Sequence, residues 1–279
     1  MSISKIHIEK NTVQETLIIP LYGRKMCTEQ FPDLFQDPRA VELIESLDYD
    51  FTAMEKKSKS TFYRFGALEV AMRETDLALE VKDYLKVHPK AAVVNLGCGL
   101  DQTGENQDNG TCRIYNIDMP DIIEARQKMI ARSERVENIA CDLNDTAWFD
   151  RIDASGGVVF IAAGVFYYFL RDQIQKLFTA MQKRFPGGKL VFDSAGKRAV
   201  KMMVKTWIKQ AGITSISDCF YVEDIQADIG SWLPGASVSS KGYMLGYHDL
   251  KEPSVSGFFR LMARIGDGVM KMKIVRIDF

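Results

Sequence analysis

Metal-ligating residues are scarce in this chain and poorly spaced for holding a metal. It has three histidines (His7, His88, His248) and five cysteines (Cys27, Cys98, Cys112, Cys141, Cys219), with no C-x-x-C pair. No zinc-ligand spacing is available, and the expected metal content is none. An odd, dispersed set of thiols predicts reduced cysteines in a cytoplasm rather than a disulfide framework. No apolar run reaches the roughly 18–20 residues needed to cross a bilayer, so no membrane partner is expected. The first residues, with His7, Glu9, Lys10 and Glu15, lack the apolar core of a signal peptide. An excess of charge of one sign is also missing. Lys and Arg number 36 against 37 Asp and Glu, a net charge of −1. There is accordingly no electrostatic case for nucleic acid, which selects clustered positive charge. Repeats, low-complexity tracts and linkers are absent too. The expectation is therefore a single domain over residues 1–279.

What is present is an alternation of strand and helix patterns. Residues 1–90 read as largely helical, with apolar residues at helical intervals from Phe65 to Val87 and a stop at Pro89. Strands are expected over Ala91–Leu96, Cys112–Ile117, Asn138–Cys141, Gly157–Ala163 and Lys189–Asp193. Between and after them come helices over about Asp121–Arg132, opened by Pro120, over Asp172–Arg184 and over about Arg198–Gln210. The almost wholly apolar Gly157–Ala163 suits a parallel strand covered on both faces. The tail adds strand patterns at Val238–Leu245 and Lys271–Ile277, which suit an antiparallel edge. Helical patterns lie near Val222–Trp232 and Ser256–Arg264. The whole reads as α/β, a doubly wound, mostly parallel, Rossmann-like sheet.

The chemistry gathers at Val93-Val94-Asn95-Leu96-Gly97-Cys98-Gly99-Leu100-Asp101, a buried strand that stops in a glycine turn. Glycines let backbone approach a ligand where a Cβ would collide. Asp118, near the end of the next strand, is placed to accept from both hydroxyls of a ribose. Asp142-Leu143 ends the third strand. Three polar sites at the carboxyl ends of successive strands lie along the crevice where open α/β sheets bind ligands. A dinucleotide fold requires a third glycine, but position 102 is Gln, so the pyrophosphate cradle is incomplete. S-adenosylmethionine carries no phosphate and needs only the shorter loop.

Several segments in order then carry a resemblance. V-V-N-L-G-C-G-L-D, Y-N-I-D-M-P-D-I-I-E-A-R, C-D-L-N-D-T-A-W and A-A-G-V-F-Y-Y-F resemble the leucine carboxyl methyltransferase family. That family includes protein phosphatase carboxyl methyltransferases and tetracenomycin-type polyketide O-methyltransferases. The similarity spans roughly residues 15–195. It implies a class I methyltransferase fold with a seven-stranded sheet and an added N-terminal helical region, using S-adenosyl-L-methionine and releasing S-adenosyl-L-homocysteine. It further implies that Gly97 and Gly99 pass under the methionine and ribose, Asp118 holds the ribose hydroxyls, and Asp142 and Leu143 contact the adenine. Arg73, in A-M-R-E-T-D, matches the arginine that pairs with the cofactor carboxylate, for which a guanidinium fork is well shaped. Arg24, in L-Y-G-R-K, matches another basic residue near the active site, and Tyr168 a tyrosine near the methyl group and acceptor. One position departs from the pattern. Where most relatives end the fourth strand in Glu-Gly-Val or Glu-Cys-Val, this chain reads Ala163-Gly164-Val165.

Plainer readings stand beside these. Asp118 suits an N-cap before Pro120. Asp142 suits a turn, and Arg73 a solvated ion pair with Glu69, Glu74 or Asp76. Tyr167, Tyr168 and Phe166 suit packing alone, Cys98 a filler between glycines, and His248 a surface turn. The expected division is 1–90 as the lid or substrate side, 91–195 as the cofactor core, and 196–279 as the second half of the sheet with a substrate-side insertion. The leading function is an O-methyltransferase acting on a small phenol or carboxylic acid. Alternatives are a protein C-terminal carboxyl methyltransferase, a non-catalytic S-adenosylmethionine binder motivated by Ala163, and a nicotinamide oxidoreductase disfavoured by Gln102. The oligomeric state and the acceptor are open.

Overall fold

The computed structural model describes residues 6–7, 13–131, 133–203 and 220–279. Its helices are α1 (Val13–Gln30), α2 (Pro38–Ser46), α3 (Thr52–Ser58), α4 (Thr61–Val87), α5 (Thr103–Asn106), α6 (Pro120–Met129), α7 (Arg171–Arg184), α8 (Lys197–Met203), α9 (Ile225–Asp228) and α10 (Gly257–Gly268). Two short strands, β1 (Ile6–His7) and β2 (Leu47–Asp48), pair in parallel. The main sheet holds β3 (Ala92–Leu96), β4 (Arg113–Asp118), β5 (Val136–Ala140), β6 (Val158–Ala162), β7 (Lys189–Ser194), β8 (Ser237–Gly242) and β9 (Lys273–Asp278). Its order is β5-β4-β3-β6-β7-β9-β8, with β9 antiparallel to both β7 and β8 and the other pairs parallel.

The period-2 alternation of the central strands builds two cores. On one face Val93, Ile114, Val159 and Val191 pack with Leu68, Leu77 and Val81 of α4. On the other, Val94, Tyr115, Phe160 and Phe192 pack with Trp148 and α7. Helix α7 buries Ile174, Leu177, Phe178 and Met181, the i, i+3, i+4, i+7 stripe that one apolar face requires. The 27-residue α4 starts where the Ser60 side chain accepts from the Tyr63 N–H and ends before His88-Pro89. It is anchored to the sheet by buried Glu80, which accepts from Lys189 Nζ at 2.6 Å and from the Tyr247 hydroxyl at 2.6 Å.

The sheet agrees with the sequence expectation, and the differences have local causes. The N-terminal region, expected to carry no parallel strand, holds the two-residue β1–β2 pair. Helix α6 ends at Met129, and its cap Ile130 is already extended. The helix expected to run to Gln210 is seen from Lys197 to Met203, and its remainder lies outside the described residues. The strand expected to reach Leu245 stops at Gly242. There the Asp267 carboxylate accepts from the Met244 and Leu245 N–H groups at 2.8 and 2.9 Å and turns the chain. The helical pattern near Val222–Trp232 resolves into α9 and one 3-10 turn.

His248, read as a surface turn, instead approaches the fully buried Asp76 of α4 at 3.0 Å. Burial raises the Asp76 carboxyl to about 6 against the attraction of His248. Contact with Asp76 raises the His248 imidazole above its ordinary value. Both folded-state pKa values lie above their unfolded ones, so the stability linked to these protons is complete at low pH and is lost as the pH rises through them. Relative to an Asp76→Asn/His248→Gln double variant, the wild-type chain should lose on the order of 1 kcal/mol of unfolding free energy between about pH 5 and about pH 8. Urea denaturation at each pH measures it; a constant difference would contradict the assignment.

Candidate functional site

Strand order reverses at β3, whose neighbours are β4 and β6, and the crevice above this switch point opens where the loops after the two strands part. Beyond Leu96 the backbone turns through left-handed positions at Gly97 (φ +61°) and Gly99 (φ +49°). A Cβ on Gly97 would lie 2.6 Å from Val165 Cγ2, on the loop after β6. Glycine is thus required there twice, for its φ and for the close approach.

Asp118, at the end of β4, holds this turn. Its Oδ2 accepts from the Gly99 N–H at 2.8 Å and its Oδ1 from the Met119 N–H at 2.8 Å. Burial raises its pKa, opposed by these two backbone donors. The N-cap of α6 is Met119, without a side-chain bond, so the simple capping reading of Asp118 does not hold. Arg126, which sequence reasoning left unassigned, braces the loop from beneath. It is buried and donates to the carbonyls of Gly99 (2.8 Å) and Asp101 (2.7 Å) and to Glu105. Its only sequence signal is its place six residues after Pro120, on the inward face of α6.

Asp142 is exposed and accepts from the Asn144 backbone and side-chain N–H groups, both at 2.9 Å, while Leu143 beside it is buried. The turn reading of Asp142 is therefore correct, and the turn carries both residues to the crevice. Arg24 is buried among carboxylates. Its guanidinium donates to Glu74 at 2.9 Å and to Asp101 at 3.3 Å, and lies 3.3 Å from Asp37. Burial opposes that charge, but the carboxylates outweigh it and raise the pKa of Arg24. Cys98 is buried inside the turn, and desolvation pushes its thiol up, away from any nucleophilic role.

Arg73 does not pair with its helical neighbours. It reaches across to β7, where Nη1 donates to Asp193 Oδ2 at 3.3 Å, and Asp193 Oδ1 accepts from the Gly164 N–H at 2.6 Å. Gly164 (φ +72°) is needed for this, because a Cβ there would lie 2.7 Å from Arg73 Nη1. Burial opposes the Arg73 charge, yet Tyr243, Asp193 and Tyr167 leave its pKa raised. Asp193 is a second residue that sequence reasoning missed; its signal was a carboxylate at the end of an apolar strand. It stands one strand over from Ala163, where relatives of the family pattern carry their acid.

These pieces enclose one cavity of about 470 Å³, and Arg24, Arg73, Gly97, Gly99, Asp118, Asp142, Leu143, Ala163 and Tyr168 all line it. A second cavity of about 720 Å³ shares Pro20, Val70, Arg73, Ala163, Gly164 and Tyr168 with the first and extends toward α3, α4 and α10. Its wall is mainly aromatic and methionine side chains. Tyr168 is half exposed at the junction, whereas Tyr167 is buried against Asp193. Among the described residues no cluster of His, Cys, Asp or Glu is arranged to hold a metal ion.

Comparison with known proteins bears on this site. The family model described as leucine carboxyl methyltransferase matches residues 21–182. The tetracenomycin polyketide synthesis O-methyltransferase TcmP of Streptomyces glaucescens is 26% identical over 183 residues, covering 65% of this chain and 66%, just under two thirds, of that relative. Among solved structures, a protein of Thermobifida fusca YX named as a candidate methyltransferase gives a TM-score of 0.60 at 14% identity, covering 96% of this chain and 94% of its own. A DUF574 family protein of Streptomyces avermitilis MA-4680 gives 0.58 at 12% identity, covering 85% and 94%. These two likenesses concern the fold.

The turn itself is testable by comparing two glycines. Gly97→Ala should cost roughly 1–2 kcal/mol for the left-handed backbone and more for the Val165 collision. Gly110→Ala, at φ +83° with nothing within 4 Å of the new Cβ, should cost the backbone term alone. Equal losses in urea denaturation would show that the approach to Val165 is not limiting.

Proposed function

The chain belongs to the leucine carboxyl methyltransferase family, whose model matches residues 21–182, more than half of it, and on that premise we propose that it is an S-adenosylmethionine-dependent O-methyltransferase of a small molecule. The acceptor class is a polyketide-like phenol or carboxylic acid, in line with the name of the 26% identical relative. One observation carries the reading: the eight residues expected at the cofactor and Tyr168, expected near the acceptor, line a single 470 Å³ cavity at the switch point of the sheet. Pockets of roughly 300–1,000 Å³ suit ligands of this size.

The residues fit the cofactor. Gly97 and Gly99 form a cradle that a Cβ would fill, and the loop has no third glycine for a pyrophosphate. An ionised carboxylate offers about four acceptor sites. Asp118 uses two on backbone N–H groups and keeps acceptor capacity for the ribose hydroxyls. Asp142 and Leu143 take the adenine edge and face, and Arg73 the cofactor carboxylate. Arg24, committed to Glu74, Asp101 and Asp37, positions the loop rather than the ligand. Asp193 supplies the negative charge that Ala163 lacks, displaced by one strand.

S-adenosylmethionine supplies, when bound, a methyl group already activated on a sulfonium sulfur. The protein's part is to align the acceptor oxygen with that methyl and to exclude water. Tyr168, at the junction of the two cavities, positions the acceptor, and side chains of α1, α3 and α4 together with Ala199, Met202, Met203 and Tyr243 form its enclosure. We assign the chain to the cytoplasm on its thiols, since Cys27, Cys98, Cys112 and Cys141 are all unpaired.

Titration calorimetry with S-adenosylmethionine, S-adenosylhomocysteine and NAD tests the reading. Both adenosyl ligands should bind and NAD should not, and Asp118→Ala should weaken S-adenosylhomocysteine at least about tenfold, or about 1.4 kcal/mol. Absence of adenosyl binding would overturn the proposal. Labelled methyl transfer to a panel of phenols and carboxylic acids completes the test; binding without transfer would favour the non-catalytic binder.

A further inference from the structure

The second cavity is lined by two acids that nothing above employs: Asp50, which accepts from the Thr52 N–H, and Glu69. Glu69 stands on α4 one turn before Arg73, on the wall of the 720 Å³ space. The same wall carries apolar side chains, among them Phe65, Val70, Met262 and Met272. Two other carboxylates of this region have donors: Asp193 has Gly164 and Arg73, and Glu74 has Arg24. Among the described residues Glu69 has no hydrogen-bond donor, and the opposite charge acting on it is Arg73, one turn along the helix. An acid held beside an apolar cavity without a hydrogen-bond donor is a costly arrangement. It becomes useful when a ligand brings the missing donor.

We propose that Glu69 is the proton acceptor for an aromatic hydroxyl bound in this cavity, so that the methyl acceptor is a phenol rather than a carboxylic acid. The inference rests on the methyl-transfer reading and narrows it. A carboxylate acceptor needs no base and brings no donor for Glu69. A phenol offers Glu69 the donor it lacks, and its rings fill the aromatic and methionine wall. In the transfer, the hydroxyl O–H bond breaks and its proton passes to a Glu69 Oε. The electron pair left on oxygen forms the bond to the methyl carbon, while the carbon–sulfur pair stays on sulfur. Glu69 then returns the proton to solvent.

Burial raises the Glu69 carboxyl to about 7, against the attraction of Arg73. A general base is most effective when its pKa lies near the working pH, and there it is half ionised. The charged groups sharing the cavity wall are Asp50 and Lys57 around α3, Arg73 on α4 and Asp193 at the end of β7. Tyr22 on α1, Tyr167 after β6 and Tyr243 after β8 also face it, and burial pushes all three phenols up, out of the neutral range. Burial thus brings the Glu69 carboxyl into the neutral range.

The full chain without methyl donor, titrated with 2-naphthol and with 2-naphthoate across neutral pH, tests this. Naphthol should bind several-fold more tightly as the pH rises through about 7, because ionised Glu69 accepts its hydroxyl. Naphthoate should weaken over the same interval. In Glu69→Gln, which preserves shape, both trends should flatten while the affinity for S-adenosylhomocysteine stays at the wild-type level. With a methylated phenol in hand, the kcat of this variant should fall by roughly a hundredfold or more with little change in KM. Three results would each overturn the proposal: a naphthol affinity that ignores pH, a pH trend that survives Glu69→Gln, or no naphthol binding by protein that still binds S-adenosylhomocysteine. Loss of S-adenosylhomocysteine binding by the wild-type chain would instead overturn the methyl-transfer reading beneath it.

Discussion

The left-handed backbone at Gly97 and Gly99 is the constraint from which the site is built. It lets the chain leave β3 against Val165 and presents the Gly99 N–H to the Asp118 carboxylate. The same loop sends its carbonyls down to the buried Arg126 guanidinium. A turn that would cost any other residue strain is held from three directions by β4, α6 and the loop after β6. Preorganisation of this kind is what a ligand cradle needs, because no loop has to be ordered when the ligand arrives.

A second constraint governs charge. Arg73 and Asp193 bridge α4 and β7 over Gly164, which must lack a side chain for the guanidinium to lie there. Arg24 is enclosed likewise by Glu74, Asp101 and Asp37. Buried charges in pairs and triads are tolerated where partners satisfy them. Glu69 differs in having no hydrogen-bond donor among the described residues, and this separates a proton-accepting position from the structural ion pairs around it.

Much of the fold was legible because its signals are local. Period-2 apolar runs marked the strands of the parallel sheet, Pro120 opened α6, and Pro89 stopped the helix before β3. The errors fall where a long-range contact decides. Asp267 ends β8 through two backbone bonds from 22 and 23 residues away, and no pattern around Tyr243 announces it. His248 looked like part of a polar turn, and only the fold reveals that Asp76 is buried opposite it. Asp193 was hidden for the same reason: a terminal aspartate on an apolar strand has no meaning until Gly164 and Arg73 are beside it.

The sequence alone determined the α/β class, the glycine turn and the residues that gather around it, since each is written in a short window of spacing or in a family pattern. It also exposed Ala163 as a departure. Tertiary structure decided where the remaining charges go. Whether Arg73 meets Asp193 or its own helical neighbours, and whether Glu69 has a hydrogen-bond donor, depends on which elements pack together. Those are distances across the fold, which no local spacing encodes.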